Sequence, residues 1–170
     1  MIKKGNVLIF LARLAEVYPI GHVKKAPGTF ASFISLFIGY YLINLLGIFN
    51  FIIFIIIFSI IGFIISEIHV RVFKQKDPKE VVIDEFTGQF IALLAITSSN
   101  NTNDIILSIL LSFLLFRFFD ITKLGPIKKF EKLPGGIGIM ADDIVAGICA
   151  FLVQCGIMTA FNQQLLIKVY

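Results

Sequence analysis

Polar residues in this chain form short islands between long apolar runs. From Ala26 to Ser66 no charged residue occurs. As one helix that stretch would rise about 60 Å, roughly twice the hydrocarbon thickness of a bilayer. It must therefore double back, and Gly47 and Asn50 mark the turn. The pattern predicts a first helix near 30–47 and a second near 51–68, each slightly short for a full span, which tilt or local thinning accommodates. In the polar island that follows, Asp77-Pro78-Lys79-Glu80 reads as a helix start. Asp suits the N-cap, Pro the first helical position, and Glu the closing position of a capping box. A third helix is expected over 78–96, a fourth over 104–119 and a fifth over 142–161, with loops at 97–104 and 123–138. Ahead of them, Arg13 and Glu16 interrupt the apolar residues too early for a signal peptide. Residues 6–17 fit an amphipathic helix lying in the membrane interface. The expected architecture is all-α: a membrane-embedded bundle of about five membrane helices plus the interfacial one, in a single domain over 1–170.

Composition supports a lipid environment. Of the 170 residues 58% are hydrophobic and 15% charged, against about 25% charged in soluble domains. The net charge of +4 suits an anionic membrane surface. Nucleic acid is excluded as a partner, because too little of the chain is polar enough to follow a phosphate backbone. Cys149 and Cys155 lie inside an apolar run and read as packing residues.

Charge also orients the chain. Lys and Arg concentrate at the N-terminus and Lys24-Lys25, in 71–79 and in 123–132, while the turn at Asn50 and the segment 97–104 have none. Five spans with the N-terminus inside satisfy the positive-inside rule at every loop. Asp84, Glu85, Asp120, Asp142 and Asp143 then all fall at the cytoplasmic ends of their helices, beside Pro27-Gly28-Thr29. Topology alone gathers them at one membrane face.

Five carboxylates at one depth repel one another, and a divalent cation would relieve this. Oxygen ligands favour Mg²⁺ over zinc. The competing reading is helix caps and solvated helix ends. Arg117 and Asp120 lie three apart on one helix face. Arg117 could pair with Asp120 or hold phosphate oxygens in a bidentate fork, and Lys123 adds a second cation one turn on. The segment 26–32 opens the first helix with Thr29 suited to the N-cap, and its free N–H groups can bind an anion. Gly135, Gly136 and Gly138 permit close backbone approach to a ligand just before Asp142-Asp143. With only His22 and His69 a phosphohistidine mechanism lacks its parts. No Cys has an Arg six residues later, and no DxDx[TV] nucleophile motif occurs. Attack by metal-activated water remains for a phosphatase. A small cation transporter would spread its carboxylates through the membrane depth, whereas Glu67 and Asp104 read as loop residues. A scaffold would not need the acids to converge.

Together these blocks resemble the phosphatidylglycerophosphatase A family. The match runs through Ala-Pro-Gly-Thr at 26–29, Val-Ile-Asp-Glu-Phe-Thr-Gly at 82–88, Phe-Arg-Phe-Phe-Asp at 116–120, Lys123, Pro126-Ile127, and the run from Gly135 to Gly147. Leu124-Gly125 departs from the family's Pro-Trp pair. The resemblance implies a central helix surrounded by others and an inner-membrane enzyme with its site on the cytoplasmic face. It further implies removal, with Mg²⁺, of the terminal phosphate of phosphatidylglycerophosphate to give phosphatidylglycerol in phospholipid biosynthesis. On that reading Asp84, Glu85, Asp142 and Asp143 hold metal and Asp120, Arg117 and Lys123 are catalytic. Thr29, Gly28, Ser32, Gly135 and Gly136 bind the phospholipid substrate.

Overall fold

The computed structural model describes residues 4–75, 78–96 and 102–169, with Lys4 and 161–169 as backbone alone. Every element among them is helical: α1 (Lys4–Leu14), α2 (Pro27–Phe73), α3 (Ile83–Ala92), α4 (Thr102–Thr122), the single turn α5 (Ile127–Phe130) and α6 (Gly135–Val169), with 3-10 turns at Ile20–His22 and Leu93–Ala95. Among the described residues α2, α4 and α6 are long and apolar enough to cross a membrane. Phe37, Ile56, Leu114 and Leu152 are exposed on their outer faces, as lipid-facing positions should be. On α1, Val7, Leu8, Ile9 and Phe10 are exposed, four successive residues that point to all sides of the helix. It ends three residues earlier than expected, before the turn in which Val17 takes a positive φ.

The long apolar run folds back at Gly47, whose φ of 76° and ψ of 160° are open to glycine. Asn50 is already within the helix, its side-chain Nδ2 donating to the Leu46 carbonyl at 2.9 Å. The two limbs, 27–46 and 48–73, run in opposite directions along α3. Gly28 packs on Glu85 and Gly39 on Phe90 and Leu93. On the return limb Phe51 meets Phe90, and Gly62 lies against Met140 and Ile83.

α3 departs most from expectation. It begins at Ile83, not at Pro78, and no side chain caps it; Asp77 lies outside the described residues. The amides of Val82 and Ile83 both donate to the Ala15 carbonyl, at 3.1 and 3.3 Å. The N-terminal segment thus does the work assigned to a local capping box. Ten residues rise about 15 Å, half a hydrocarbon core, so α3 is a short central helix. Ile83, Phe86, Thr87, Gln89 and Phe90 are buried among α2, α4 and α6. It crosses α6 at backbone contact: a Cβ on Gly88 would lie 2.6 Å from the Asp143 carbonyl oxygen, and one on Gly147 would lie 2.4 Å from that of Gly88. Small residues permit such approach in membrane bundles. Buried amides join the remaining helices, with Gln89 donating to the Ser112 hydroxyl and Gln154 to the Ser108 carbonyl.

Two further expectations are corrected. The last helix starts at Gly135, not Asp142, so the paired aspartates lie two turns inside it. Glu67 and Asp104, expected in loops, lie within α2 and α4.

Candidate active site at one end of the bundle

Four elements meet around a cavity of about 590 Å³. The first turn of α3 brings Asp84 and Glu85. α6 brings Asp142 and Asp143, the end of α4 brings Arg117 and Asp120, and Lys123 follows just beyond. The start of α2 supplies Gly28 and Thr29. All of these line the cavity.

The acids divide into two groups. Asp84, Glu85 and Asp143 each offer an oxygen within 4.8 Å of the other two. Asp142, though adjacent, points one oxygen at the Lys123 ammonium. Its Oδ1 and the Oε2 of Glu85 are buried without a hydrogen-bond partner among the described residues. Buried carboxylate oxygens in that condition are costly unless a ligand meets them. The closeness of α3 to α6 follows from Gly88 and Gly147. The closeness of Glu85 to α2 follows from Gly28, where a Cβ would lie 2.0 Å from Glu85 Oε1.

The cations are held in place by neighbours. Arg117 pairs through Nη1 with Asp120 and donates through Nη2 to Thr29 Oγ1 at 3.1 Å. Its Nη1 also lies 3.5 Å from Ser32 Oγ. Lys123 lies 3.3 Å from Asp120 and 3.9 Å from Asp143, besides its bond to Asp142. Burial works against its ammonium, but Asp143, Asp142 and Asp120 outweigh this and raise its pKa above the ordinary lysine value. Asp120 thus bridges both cations.

The remaining candidates have other surroundings. Thr29 is not the N-cap, which is Ala26 in the left-handed region; its hydroxyl orients Arg117 instead. Ser32 is buried behind the cavity wall, donating to the Gly28 carbonyl at 2.9 Å. Gly135, with φ of 66°, is on the cavity wall. Gly136 faces α2: its amide donates to Glu67 Oε2 at 2.8 Å, and a Cβ there would meet the Glu67 backbone at 2.4 Å. Lys79 and Glu131 also line the cavity and were missed, since nothing sets them apart from other charges in the polar islands. Glu16, buried beneath His22 and His69 at 2.7 and 3.1 Å, was missed too. It ties the segment that caps α3 to the end of α2.

Such a fold and site define a class: an all-helical bundle of membrane type with carboxylates and cations turned into one polar pocket, suited to a phosphate-bearing ligand. The phosphatidylglycerophosphatase A family model matches residues 13–158, and the chain belongs to that family. A Haemophilus influenzae protein named phosphatidylglycerophosphatase A is 39% identical over 153 residues, 89% of this chain and 91% of the relative. An Escherichia coli K12 protein of the same name is 42% identical over 73 residues, 42% of this chain and 40% of the relative. A Bacteroides thetaiotaomicron protein, named provisionally as a phosphatidylinositol-3-phosphatase, is 39% identical over 77 residues, 45% of this chain and 46% of the relative. No solved structure matches the chain. Family membership makes this chain a phosphatase.

Proposed function

We propose that this chain hydrolyses the terminal phosphate monoester of phosphatidylglycerophosphate to phosphatidylglycerol, with Mg²⁺, as a step of phospholipid biosynthesis at the cytoplasmic face of the inner membrane. The observation that carries the reading is the meeting of the Asp84, Glu85 and Asp143 oxygens beside Arg117 and Lys123 in one cavity. The relatives named phosphatidylglycerophosphatase A support the substrate. The lysines of 24–25, 123–132 and Lys79 at the site end of the bundle support the cytoplasmic face.

The residues fit a hard cation. All donors are carboxylate oxygens, and Glu85 keeps a buried oxygen without a partner. Asp84, Glu85 and Asp143 would hold the ion, with Asp142 at their edge. Bound there, Mg²⁺ would neutralise phosphate charge and make water more acidic. The protein's own groups supply the rest. Arg117, its guanidinium plane fixed by Thr29 and Asp120, grips two phosphate oxygens. Lys123 remains an ammonium and meets the charge that builds on the phosphoryl group. Asp120, between the two cations, orients water and accepts its proton. Water oxygen bonds to phosphorus, the bond from phosphorus to the glycerol oxygen breaks, and the proton ends on the product hydroxyl.

The test is phosphate release by the purified protein in detergent from phosphatidylglycerophosphate, phosphatidic acid and phosphatidylinositol 3-phosphate, with Mg²⁺ or EDTA. Release from the first lipid that needs Mg²⁺ and is lost in Asp143→Asn is expected. Release undiminished by EDTA would remove the metal, and preference for another lipid would remove the substrate.

A further inference from the structure

A second groove opens on the lipid side of the bundle, where the returning limb of α2 meets the start of α6. It holds about 460 Å³, within the range of small-molecule sites. Phe63, Ile64 and Ile137 form its apolar part, and Glu67 and Arg71 its charged end. The polarity changes along the helix, not around it: Ile64, Glu67 and Arg71 share one face. From Ile64 to Arg71 the rise is about 10 Å, the scale of the step from headgroup to hydrocarbon. The Arg71 side chain is 76% exposed, its Nε anchored 2.6 Å from Glu67 Oε1. Glu67 in turn holds the Gly136 amide, which fixes the start of α6. Gly135 lines both this groove and the charged cavity, so the two lie on either side of one residue, against which the Glu67 carboxylate is seated: a Cβ there would lie 2.2 Å from Glu67 Oε2.

We propose that this groove receives the diester phosphate and one acyl chain of the lipid substrate, while the terminal phosphate lies in the acidic cavity on the other side of Gly135. The inference rests on the lipid-phosphatase reading above and names where the rest of the substrate lies. Arg71 complements the diester charge, and Ile64 and Ile137 flank the chain. The other lipid-side groove, among Ile52, Ile56, Ile60, Ile91 and Ile148, does not serve. Its lining is apolar apart from Ser59. It shares no lining residue with the charged cavity.

The experiment fills each groove separately. Ile64→Trp and Ile137→Trp change outward-facing positions, and Ile148→Trp fills the other groove as the control. Each is assayed in detergent on diacyl phosphatidylglycerophosphate and on its deacylated headgroup. The first two should lower kcat/KM at least tenfold on the diacyl lipid, mainly through KM, and leave the headgroup reaction within twofold; the control should change neither. Equal losses on both substrates, or none on the lipid, would overturn the proposal. A photoreactive benzoylphenylalanine at 64 or 137 should crosslink to the lipid and be competed by excess substrate, while one at 148 should crosslink without competition. Uncompeted crosslinking at all three would also overturn it. A wild-type protein that binds and crosslinks these lipids but releases phosphate from none would instead refute the catalytic reading.

Discussion

Gly28→Ala tests whether the site depends on close approach between α2 and α3. The added methyl would lie 2.0 Å from Glu85 Oε1, 3.0 Å from its Cδ and 3.4 Å from its Cγ, where real Cβ contacts essentially never fall below 3.0 Å. The backbone need not move, because the conflicting atoms are the far end of a flexible side chain. The Glu85 carboxylate must therefore retreat by about 1 Å, and it is one of three groups offering an oxygen to the candidate metal position. A misplacement of about 1 Å costs on the order of 100-fold in rate, or about 2.7 kcal/mol of transition-state stabilisation. Phosphate release measured across a Mg²⁺ titration should show kcat/KM about 100-fold lower and half-saturation moved to higher Mg²⁺, with Tm in detergent nearly unchanged. The double variant Gly28→Ala/Glu85→Asp, one methylene shorter at the crowded carboxylate, should recover part of the Mg²⁺ affinity. Wild-type activity and Mg²⁺ dependence in Gly28→Ala would refute the reasoning, since no neighbour other than Glu85 lies within 3.4 Å of the new methyl.

Arg117→Lys keeps the charge but loses the fork that spans Thr29 and Asp120. A charge-assisted hydrogen bond is worth about 1.5–3 kcal/mol, so kcat/KM should fall roughly 10–100-fold in the phosphate-release assay. Gly147→Ala sets a methyl 2.4 Å from the Gly88 carbonyl oxygen, a backbone atom that cannot step aside. Thermal unfolding in detergent should register about 1–3 kcal/mol of destabilisation. Gly156→Ala on the same helix meets nothing within 4 Å and should be neutral or stabilising by up to about 1 kcal/mol. Glu16→Ala leaves buried His69 without its carboxylate partner and should lower stability by about 1–3 kcal/mol in the same measurement.

The gathering of Asp84, Glu85, Asp120, Asp142 and Asp143 was legible because it needs only topology. Apolar run lengths predict where the chain reverses, and the reversals set the acids at one end, where the structure has them, although α3 is too short to be the span expected of it. The fold-back near Gly47 was legible for the same reason, as no helix of that length fits a bilayer. What could not be read was who touches whom within that end. The capping box at Asp77–Glu80 obeys every local rule, yet α3 waits for Ile83 because Ala15 offers its carbonyl to both Val82 and Ile83. That partner lies more than sixty residues away, and no window along the chain contains it.

The glycines between 135 and 138 make the same point about residue type. As a local pattern, Pro followed by Gly-Gly-Ile-Gly suggests a loop shaped around a ligand, and Asp142-Asp143 then looks like a helix start. In the structure Gly135 opens the helix with a positive φ of 66°, while Gly136 and Gly138 lie inside it, Gly136 pressed against the Glu67 backbone and Gly138 against the Leu133 carbonyl of the preceding turn. A missing side chain serves a flexible turn and a close helix contact equally well, and a sequence pattern does not distinguish them. The consequence reaches the chemistry. With α6 beginning at Gly135, Asp142 and Asp143 are held two turns inside a packed helix, which fixes one toward Lys123 and the other toward Asp84 and Glu85. Capping aspartates at a frayed helix end would hold neither direction. The glycine run thus contributes to the site chiefly by letting α6 start early and lie close to Glu67, which is why a change at Gly136 should disturb the acids without touching substrate.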